Sequence, residues 1–252
     1  MLNTLKSRVH HINARSWFSI QAKAEADQAD VLIYDYIGWG GVTAADFAKE
    51  LQAVQAKTIT VRMNTPGGDV FDGLAIYNSL KAHGAAIHVK VDGLAASIGS
   101  IIAMAGSTIT MGESAFLMIH NPWALVIGNA NDMRDMADTL DKIGGSLAGV
   151  YATRPKVSKE KAQAFMDAET WFTAEEAVAA GFADAIETTQ TDETVENRSG
   201  FDLSGYAKVP TALQLNHEKP DLNATIQEIC NQERIRTMQK RLALVQRDER
   251  SR

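Results

Sequence analysis

The 252-residue chain contains a single cysteine, Cys230, so a disulfide framework within the chain is excluded. So few cysteines are typical of a reducing compartment, and we expect the protein in the cytoplasm. Cys230 lies in a polar segment, far in sequence from any obvious base, and is a poor candidate for a catalytic thiol. The chain also lacks a G-x-x-x-x-G-K-[ST] loop, which excludes ATP hydrolysis by that route. We predict neither a metal nor a cofactor.

Excess positive charge and membrane signals are absent as well. The formal net charge is -6 at pH 7, which gives no electrostatic reason to expect nucleic acid or an anionic membrane as a partner. No continuous apolar segment follows the basic N-terminal residues, so we expect no secretory signal peptide. Residues 93–112 carry no charge, but their five serine or threonine residues and four glycines favour a buried helix and a strand over a membrane span.

Apolar runs of strand type alternate with helical patterns along the chain. Strands are predicted at residues 31–34, 59–63, 87–91, 109–111, 116–119 and 183–186. Helices are predicted at about 43–54, 72–81, from 96 onward, 131–151, 159–167 and 175–180. This succession of βαβ units predicts an α/β fold with a largely parallel sheet covered by helices.

The helix predicted at 131–151 has an apolar stripe along one face. This stripe can pack against the protein core or against another subunit, and the core is the default.

After residue 187 the composition becomes polar and loses its periodicity. We therefore predict a main domain at 1–187, a polar linker at 188–222, and a helical, basic C-terminal tail at 223–252.

Three unusual segments follow predicted strands: the turn 64-NTPGGDV-70, a second glycine turn in 92-DGLAASIGS-100, and His120. The carboxyl ends of parallel strands share one rim, where sites form, so we expect these segments to lie close together. Ser97 would stand at the start of a helix, where free N–H groups and the helix dipole can hold an oxyanion. Taken singly, each segment also has a structural explanation: a buried serine, a plain turn, or a histidine at a strand end.

A serine hydroxyl is a weak nucleophile, which needs a base, and the base needs an orienting carboxylate. His120 is the candidate base. Asp167 and Glu169, just before a Trp-Phe-Thr run, are the candidate carboxylates. These residues complete the set that acyl transfer requires.

Four segments, in this order and spacing, resemble the Clp-type serine peptidases, and most of all their phage branch, the Clp-like prohead (head-maturation) proteases. The segments are 64-NTPGGDVFDGLAIYNSL-80, 92-DGLAASIGS-100, 117-LMIHNPW-123 and 169-ETWFTAEEAVAAGFAD-184. The resemblance covers roughly residues 15–187. It implies a ClpP/crotonase-like spiral of βαβ units, with the helix at 131–151 as a protruding handle through which rings of subunits meet.

Carried over by position, the resemblance implies Ser97 as the nucleophile and His120 as the base. Gly68 and Ile98 match the backbone donors of the oxyanion hole. Glu169 matches the third member of the triad, where housekeeping relatives have Asp, and Asp167 is the alternative.

The family further implies homo-oligomeric rings, with seven or fourteen subunits, acting on polypeptides. Phage relatives are expected to cut scaffold or capsid precursors in the host cytoplasm, whereas housekeeping relatives are degradative subunits fed by an ATPase partner. A non-catalytic ring-forming assembly protein is a third reading. A crotonase-like acyl-CoA enzyme is disfavoured because it needs no Ser-His pair, and an α/β-hydrolase because Ser97 lies outside a G-x-S-x-G motif.

Overall fold

A computed structural model describes residues 18–23, 27–38, 43–187 and 201–214. The first elements in chain order are β1 (Phe18–Lys23), β2 (Gln28–Ile33), α1 (Ala44–Gln52), β3 (Thr58–Thr65), α2 (Val70–Ala82), β4 (Ala86–Ala96) and α3 (Ile98–Ala103). They are followed by β5 (Thr108–Gly112), β6 (Phe116–Ile119), α4 (Ala130–Tyr151), α5 (Lys159–Asp167), β7 (Thr170–Thr173), α6 (Ala174–Ala180) and β8 (Ala185–Glu187). The predicted α/β class is confirmed.

One eight-stranded sheet organises these elements. Its main path runs β1-β2-β3-β4-β5-β8, and β6 joins it beside β4 with β7 on its other side. The pairs β1–β2 and β6–β7 are antiparallel, and the other five pairs are parallel. The long strand β4 forks the sheet, because residues 88–91 pair with β5 and residues 94–96 pair with β6.

Local sequence signals explain where the helices begin and end. Thr43 caps α1 by accepting a hydrogen bond from the Asp46 N–H, as the sequence predicts. Thr173 and Glu176 form a capping box at the start of α6. Gly181 ends that helix in the left-handed conformation, with φ of +92°, which glycine adopts without steric cost.

The central strands are covered by apolar side chains from the helices. Outside the strands, the largest fully buried side chains of this core are Ile37, Phe47, Leu51, Ile76, Leu80, Ile98, Ile101, Tyr151 and Phe182. The strands supply Ile33, Ile59 and Met63 from the same face. This packing fixes the sheet rim on which the candidate site is built.

One prediction along the chain is wrong, and two strands are missed. The predicted second glycine turn is absent, since β4 continues through Gly93 to Ala96 and the chain turns at Ser97 instead. A side chain at position 93 would come within 2.8 Å of Asn64 Oδ1, so glycine serves a close contact there. The strands β1 and β7 are not predicted at all.

Helix α4 spans the predicted residues but departs from the default expectation of a core helix. Only its last two turns are buried, through Gly144, Leu147, Ala148 and Tyr151. Its first three turns are largely exposed, and the side chain of Met133 is 50% exposed. The first half of α4 therefore projects from the core of the chain.

The chain divides into two compact units, residues 1–201 and 202–252. Within the second unit the structure describes residues 202–214, which include a short 3-10 helix at Thr211–Leu213. The predicted tail helix at 223–252, with Cys230, lies outside the described residues, and the predicted boundaries stay predictions. No helix in the described ranges is long and apolar enough to cross a membrane.

Candidate active site

The ends of three parallel strands bring the predicted segments together. The strands β3, β4 and β6 end at Thr65, Ala96 and Ile119 and lie side by side in the sheet. The Ser97 N–H extends the β4–β6 ladder by donating to the Met118 carbonyl at 2.9 Å. Ser97 and His120 therefore follow neighbouring strands at the same rim.

Ser97 has a strained backbone and a hydrogen-bonded hydroxyl. Its φ of 55° and ψ of -126° lie in a region that non-glycine residues rarely adopt. Such a conformation costs on the order of 1–3 kcal/mol and persists only where its surroundings enforce it. Ser97 Oγ lies 2.7 Å from His120 Nε2, within hydrogen-bond distance for transfer of the hydroxyl proton.

His120 is surrounded mostly by protein. Burial lowers its pKa below the ordinary value, because the charged imidazolium loses hydration, while the negative charge of Glu169 raises the pKa in part. The net effect keeps the imidazole neutral at neutral pH. A neutral Nε2 can accept the Ser97 proton.

Glu169 is brought to His120 by the register of β6 and β7. Ile119 pairs with Thr170 in this antiparallel ladder, so the residues just outside the pair, His120 and Glu169, face each other. Glu169 has a φ of +45°, uncommon for a residue with a side chain. Its Oε1 also lies 3.4 Å from Trp171 Nε1, which donates to it.

Asp167, the alternative carboxylate, is fully exposed at the end of α5. Its Oδ1 accepts hydrogen bonds from Asn121 Nδ2 at 2.9 Å and Gln163 Nε2 at 2.8 Å. Those two donors lower the Asp167 pKa below its ordinary value. The structure thus brings Ser97, His120 and Glu169 together and holds Asp167 on the surface by other partners.

The loop after β3 supplies backbone groups to the same place. Gly67 has a φ of +99°, and a side chain there would meet Ser97 Cβ at 2.8 Å, so the loop touches the serine directly. Within the described part of the chain the Gly68 N–H makes no hydrogen bond. The Ile98 N–H begins α3, where the helix provides no acceptor. These are the two N–H groups that the sequence suggests as oxyanion donors.

Several residues that the sequence did not single out hold these groups in place. Thr65 Oγ1 donates to the Asp35 carbonyl at 2.7 Å and accepts from the Gly67 N–H at 3.1 Å. Ser100 is fully buried and hydrogen-bonded to the Ser97 carbonyl and to the Tyr151 hydroxyl. Nothing local in the sequence marks these partners, because they depend on tertiary packing.

Metal ligands are not part of this arrangement. No group of three or more His, Cys, Asp and Glu side chains placed to hold a metal ion occurs in the ranges that the structure describes. The site offers instead a hydroxyl, an imidazole, a carboxylate and two backbone donors. That set can transfer an acyl group by way of a covalent intermediate.

Comparison with known proteins agrees with this chemistry. Residues 26–190 match the family model of the Clp protease. The chain is 28% identical to an ATP-dependent Clp protease proteolytic subunit of Bacteroides fragilis over 201 residues, 73% of this chain and 95% of that protein. It is 32% identical to the subunit of Deinococcus radiodurans over 145 residues, 56% of this chain and 69% of that protein. It is 34% identical to subunit 2 of Nocardia farcinica over 135 residues, 52% and 65% of the two chains.

The family match covers well over half of the chain. It confirms the predicted ClpP-like fold and the predicted class of enzyme, a serine-type peptidase, while the finer likeness to the phage branch stays a prediction. Taken with a serine, a histidine and a carboxylate assembled at the rim of a parallel sheet, the match shows that the chain belongs to the Clp protease family.

Proposed function

We propose that this chain is a serine endopeptidase in which Ser97 is the nucleophile, His120 the general base and Glu169 the orienting carboxylate. The distance of 2.7 Å between Ser97 Oγ and His120 Nε2 carries the proposal, because a serine reacts only when a base can take its proton.

The first half of the reaction forms an acyl-enzyme. Ser97 Oγ attacks the carbonyl carbon of the scissile bond while His120 Nε2 takes the hydroxyl proton. The carbonyl oxygen becomes an oxyanion and accepts hydrogen bonds from the Gly68 and Ile98 N–H groups. When the C–N bond breaks, His120 gives its proton to the leaving amine, and the acyl group stays on Ser97 as an ester.

The second half reverses these roles with water. His120 takes a proton from a water molecule, the hydroxide attacks the ester carbonyl, and Ser97 leaves with the proton that His120 returns. Glu169 favours the tautomer with the proton on Nδ1 and stabilises the imidazolium that forms in each half, in keeping with its effect on the His120 pKa.

We further propose that the chain works as a homo-oligomeric ring. Four large apolar side chains are exposed on the segment before α4 and on the first turn of that helix: Trp123, Leu125, Ile127 and Met133. Monomers usually expose large apolar residues singly, whereas four of them occur here within residues 123–133, and a neighbouring subunit would bury them.

For the biological role we propose cleavage of scaffold or capsid precursors, as the resemblance of the sequence to phage prohead proteases suggests. A degradative role beside an ATPase is the second candidate, and the names of the relatives, ATP-dependent Clp protease proteolytic subunits, favour it. Since the chain lacks a nucleotide-binding loop, that second role requires a separate ATPase.

A serine-reactive fluorophosphonate tests the chemistry directly. The purified protein is labelled and the adduct located by peptide mass spectrometry, with hydrolysis of a fluorogenic peptide measured in parallel. We expect the label on Ser97, its loss in Ser97→Ala and His120→Ala, and a fall in turnover on the order of 10⁴-fold or more in Ser97→Ala. Labelling at another serine, or near wild-type turnover in Ser97→Ala, would contradict the proposal.

A second assay separates the two roles. The active protein is incubated with an unfolded model protein and with a folded capsid precursor, each with and without a Clp-type ATPase and ATP. Cleavage of the precursor at defined sites without an ATPase supports the maturation role. Degradation of either substrate only when the ATPase and ATP are present supports the degradative role.

A further inference from the structure

The backbone between Ser97 and Ile98 carries two groups that act together. The Ser97 carbonyl and the Ile98 N–H belong to one planar trans peptide unit, so they point in opposite directions and rotate together. Whatever holds the Ser97 carbonyl also aims the Ile98 N–H. This matters because Ser97 has a strained backbone that does not hold its own orientation.

Ser100 holds that carbonyl with two hydrogen bonds. Its N–H donates to the Ser97 oxygen at 2.9 Å and its Oγ donates to the same oxygen at 2.6 Å. The carbonyl can only accept, so the hydroxyl proton of Ser100 is committed to it. Ser100 Oγ is then left as an acceptor toward its other neighbour, the Tyr151 hydroxyl, 2.7 Å away.

Tyr151 must therefore be the donor to Ser100. It is the last residue of α4 and is almost completely buried, with its ring at right angles to Phe182 and the two ring centroids 5.6 Å apart. Burial raises the pKa of its hydroxyl well above the ordinary value, so the group keeps its proton at any working pH. The hydrogen bonds thus run in one direction, from Tyr151 through Ser100 to the Ser97 carbonyl. Successive hydrogen bonds in such a chain polarise and strengthen one another.

We infer that Ser100 and Tyr151 are positioning residues for catalysis: their hydrogen bonds fix the peptide between Ser97 and Ile98, and so aim the Ile98 N–H at the oxyanion. This inference rests on the proposed peptidase function. The loop after β3 offers a parallel, since the Ile37 N–H donates at 2.9 Å to the Gly67 carbonyl, in the same peptide unit as the Gly68 N–H. In both cases a hydrogen bond to the carbonyl of the preceding residue orients the proposed N–H donor in the same peptide unit.

The test removes the first and the middle member of the chain of hydrogen bonds, with Tyr151→Phe and Ser100→Ala, in the full-length assembled protein. Tyr77→Phe is the matched control, because Tyr77 is also buried but its hydroxyl makes no hydrogen bond in the described ranges. The kcat and KM for a fluorogenic peptide are measured, together with the affinity of a peptide boronate, whose tetrahedral adduct places an oxygen in the oxyanion site. Thermal unfolding and mass photometry check that each variant is folded and assembled.

Removing an oxyanion donor costs about 10²–10³-fold in kcat, and a donor that is only misaimed should cost less. We expect kcat to fall about tenfold in Tyr151→Phe and somewhat more in Ser100→Ala, with KM unchanged and boronate affinity reduced in step with kcat. The double variant should be no slower than Ser100→Ala alone, because Tyr151 acts through Ser100. Tyr77→Phe should match the wild type.

A Tyr151→Phe variant with wild-type kcat, or a double variant whose losses multiply, would overturn the inference. A fall in kcat that comes together with a raised KM and a loss of assembly would also overturn it, because that combination indicates a purely structural role. If the wild-type protein itself neither cleaves peptide nor takes the fluorophosphonate, the proposed function fails and the inference fails with it. An active wild type with an unaffected Tyr151→Phe variant overturns the inference alone.

Discussion

Ile119 and Thr170 are direct partners in the antiparallel ladder between β6 and β7. Their pairing sets which acidic residue reaches His120, because the next residue outward on each strand is His120 on one side and Glu169 on the other. Asp167 belongs to α5 and is engaged by Asn121 and Gln163. The choice between the two carboxylates is thus a matter of register.

Exchange of the two carboxylates for amides should separate their roles. We expect Glu169→Gln to lower kcat on the order of 10³- to 10⁴-fold, because the imidazolium loses its counter-charge and the tautomer is no longer fixed. Asp167→Asn, the matched control, should stay within about twofold of the wild type, since only exposed hydrogen bonds change. Steady-state kinetics on folded protein measures both, and the reverse ranking would assign the role to Asp167.

The pH dependence of kcat/KM should report the ionisation of His120. The base works only when neutral, so activity should rise with pH through the His120 pKa, and burial places that limb below the ordinary histidine value near 6.5. In Glu169→Gln the limb should move to still lower pH, because the charge that raises the His120 pKa is gone. A limb that moves upward in this variant would contradict the pairing of the two residues. Because we expect little activity in this variant, its profile is measured with an activated ester substrate.

Gly68 should not tolerate a side chain. Its φ is +152°, and a Cβ there would lie 2.0 Å from the Ile37 carbonyl oxygen, a contact that only a shift of backbone could relieve. We expect Gly68→Ala to lower kcat/KM by about 10²-fold or more, as loss of an oxyanion donor does. Gly84→Ala is the control, because nothing lies within 4 Å of the added methyl group. Equal activity of the two variants would show that Gly68 has no such role.

The exposed apolar residues before and in α4 should control assembly. We expect Ile127→Lys and Met133→Lys to yield smaller species in light scattering after size exclusion, because a buried lysine opposes subunit contact. Thermal stability of the protomer should change little, since both side chains are exposed within it. Asp138→Lys, an exposed change on the same helix, separates a specific contact from the effect of added charge. Unchanged assembly in the two apolar variants would count against this surface as the ring contact.

The sequence predicts most elements because each carries a local signal. Helix α5 and strand β6 have the predicted bounds, and α1 begins at the predicted Thr43 cap. Strand β7 escapes prediction because it has just four residues and forms by pairing with β6, while no turn or alternation of its own marks it. The turn predicted at Gly93 fails for a related reason, since this glycine accommodates Asn64 from the neighbouring strand.

Part of the candidate site could likewise be predicted from the sequence, and part could not. Ser97, His120 and the glycine loop could be predicted because they follow strands whose ends share a rim. The residues alone leave Glu169 and Asp167 open, and the resemblance favours Glu169. In the structure the register of β6 and β7 places Glu169 next to His120, and the link from Tyr151 to Ser100 joins residues far apart in the sequence. Both depend on how elements pack, which local patterns do not encode.

The fork in β4 has a consequence for motion. Strand β4 has β3 on one edge, and on the other it has first β5 and then β6, so residues 94–96 are enclosed between paired strands. Amide hydrogens in such a place exchange with solvent only when the whole unit unfolds. We therefore expect the amides next to Ser97, the proposed nucleophile, to be among the slowest to exchange, so that substrates adapt to a rigid site.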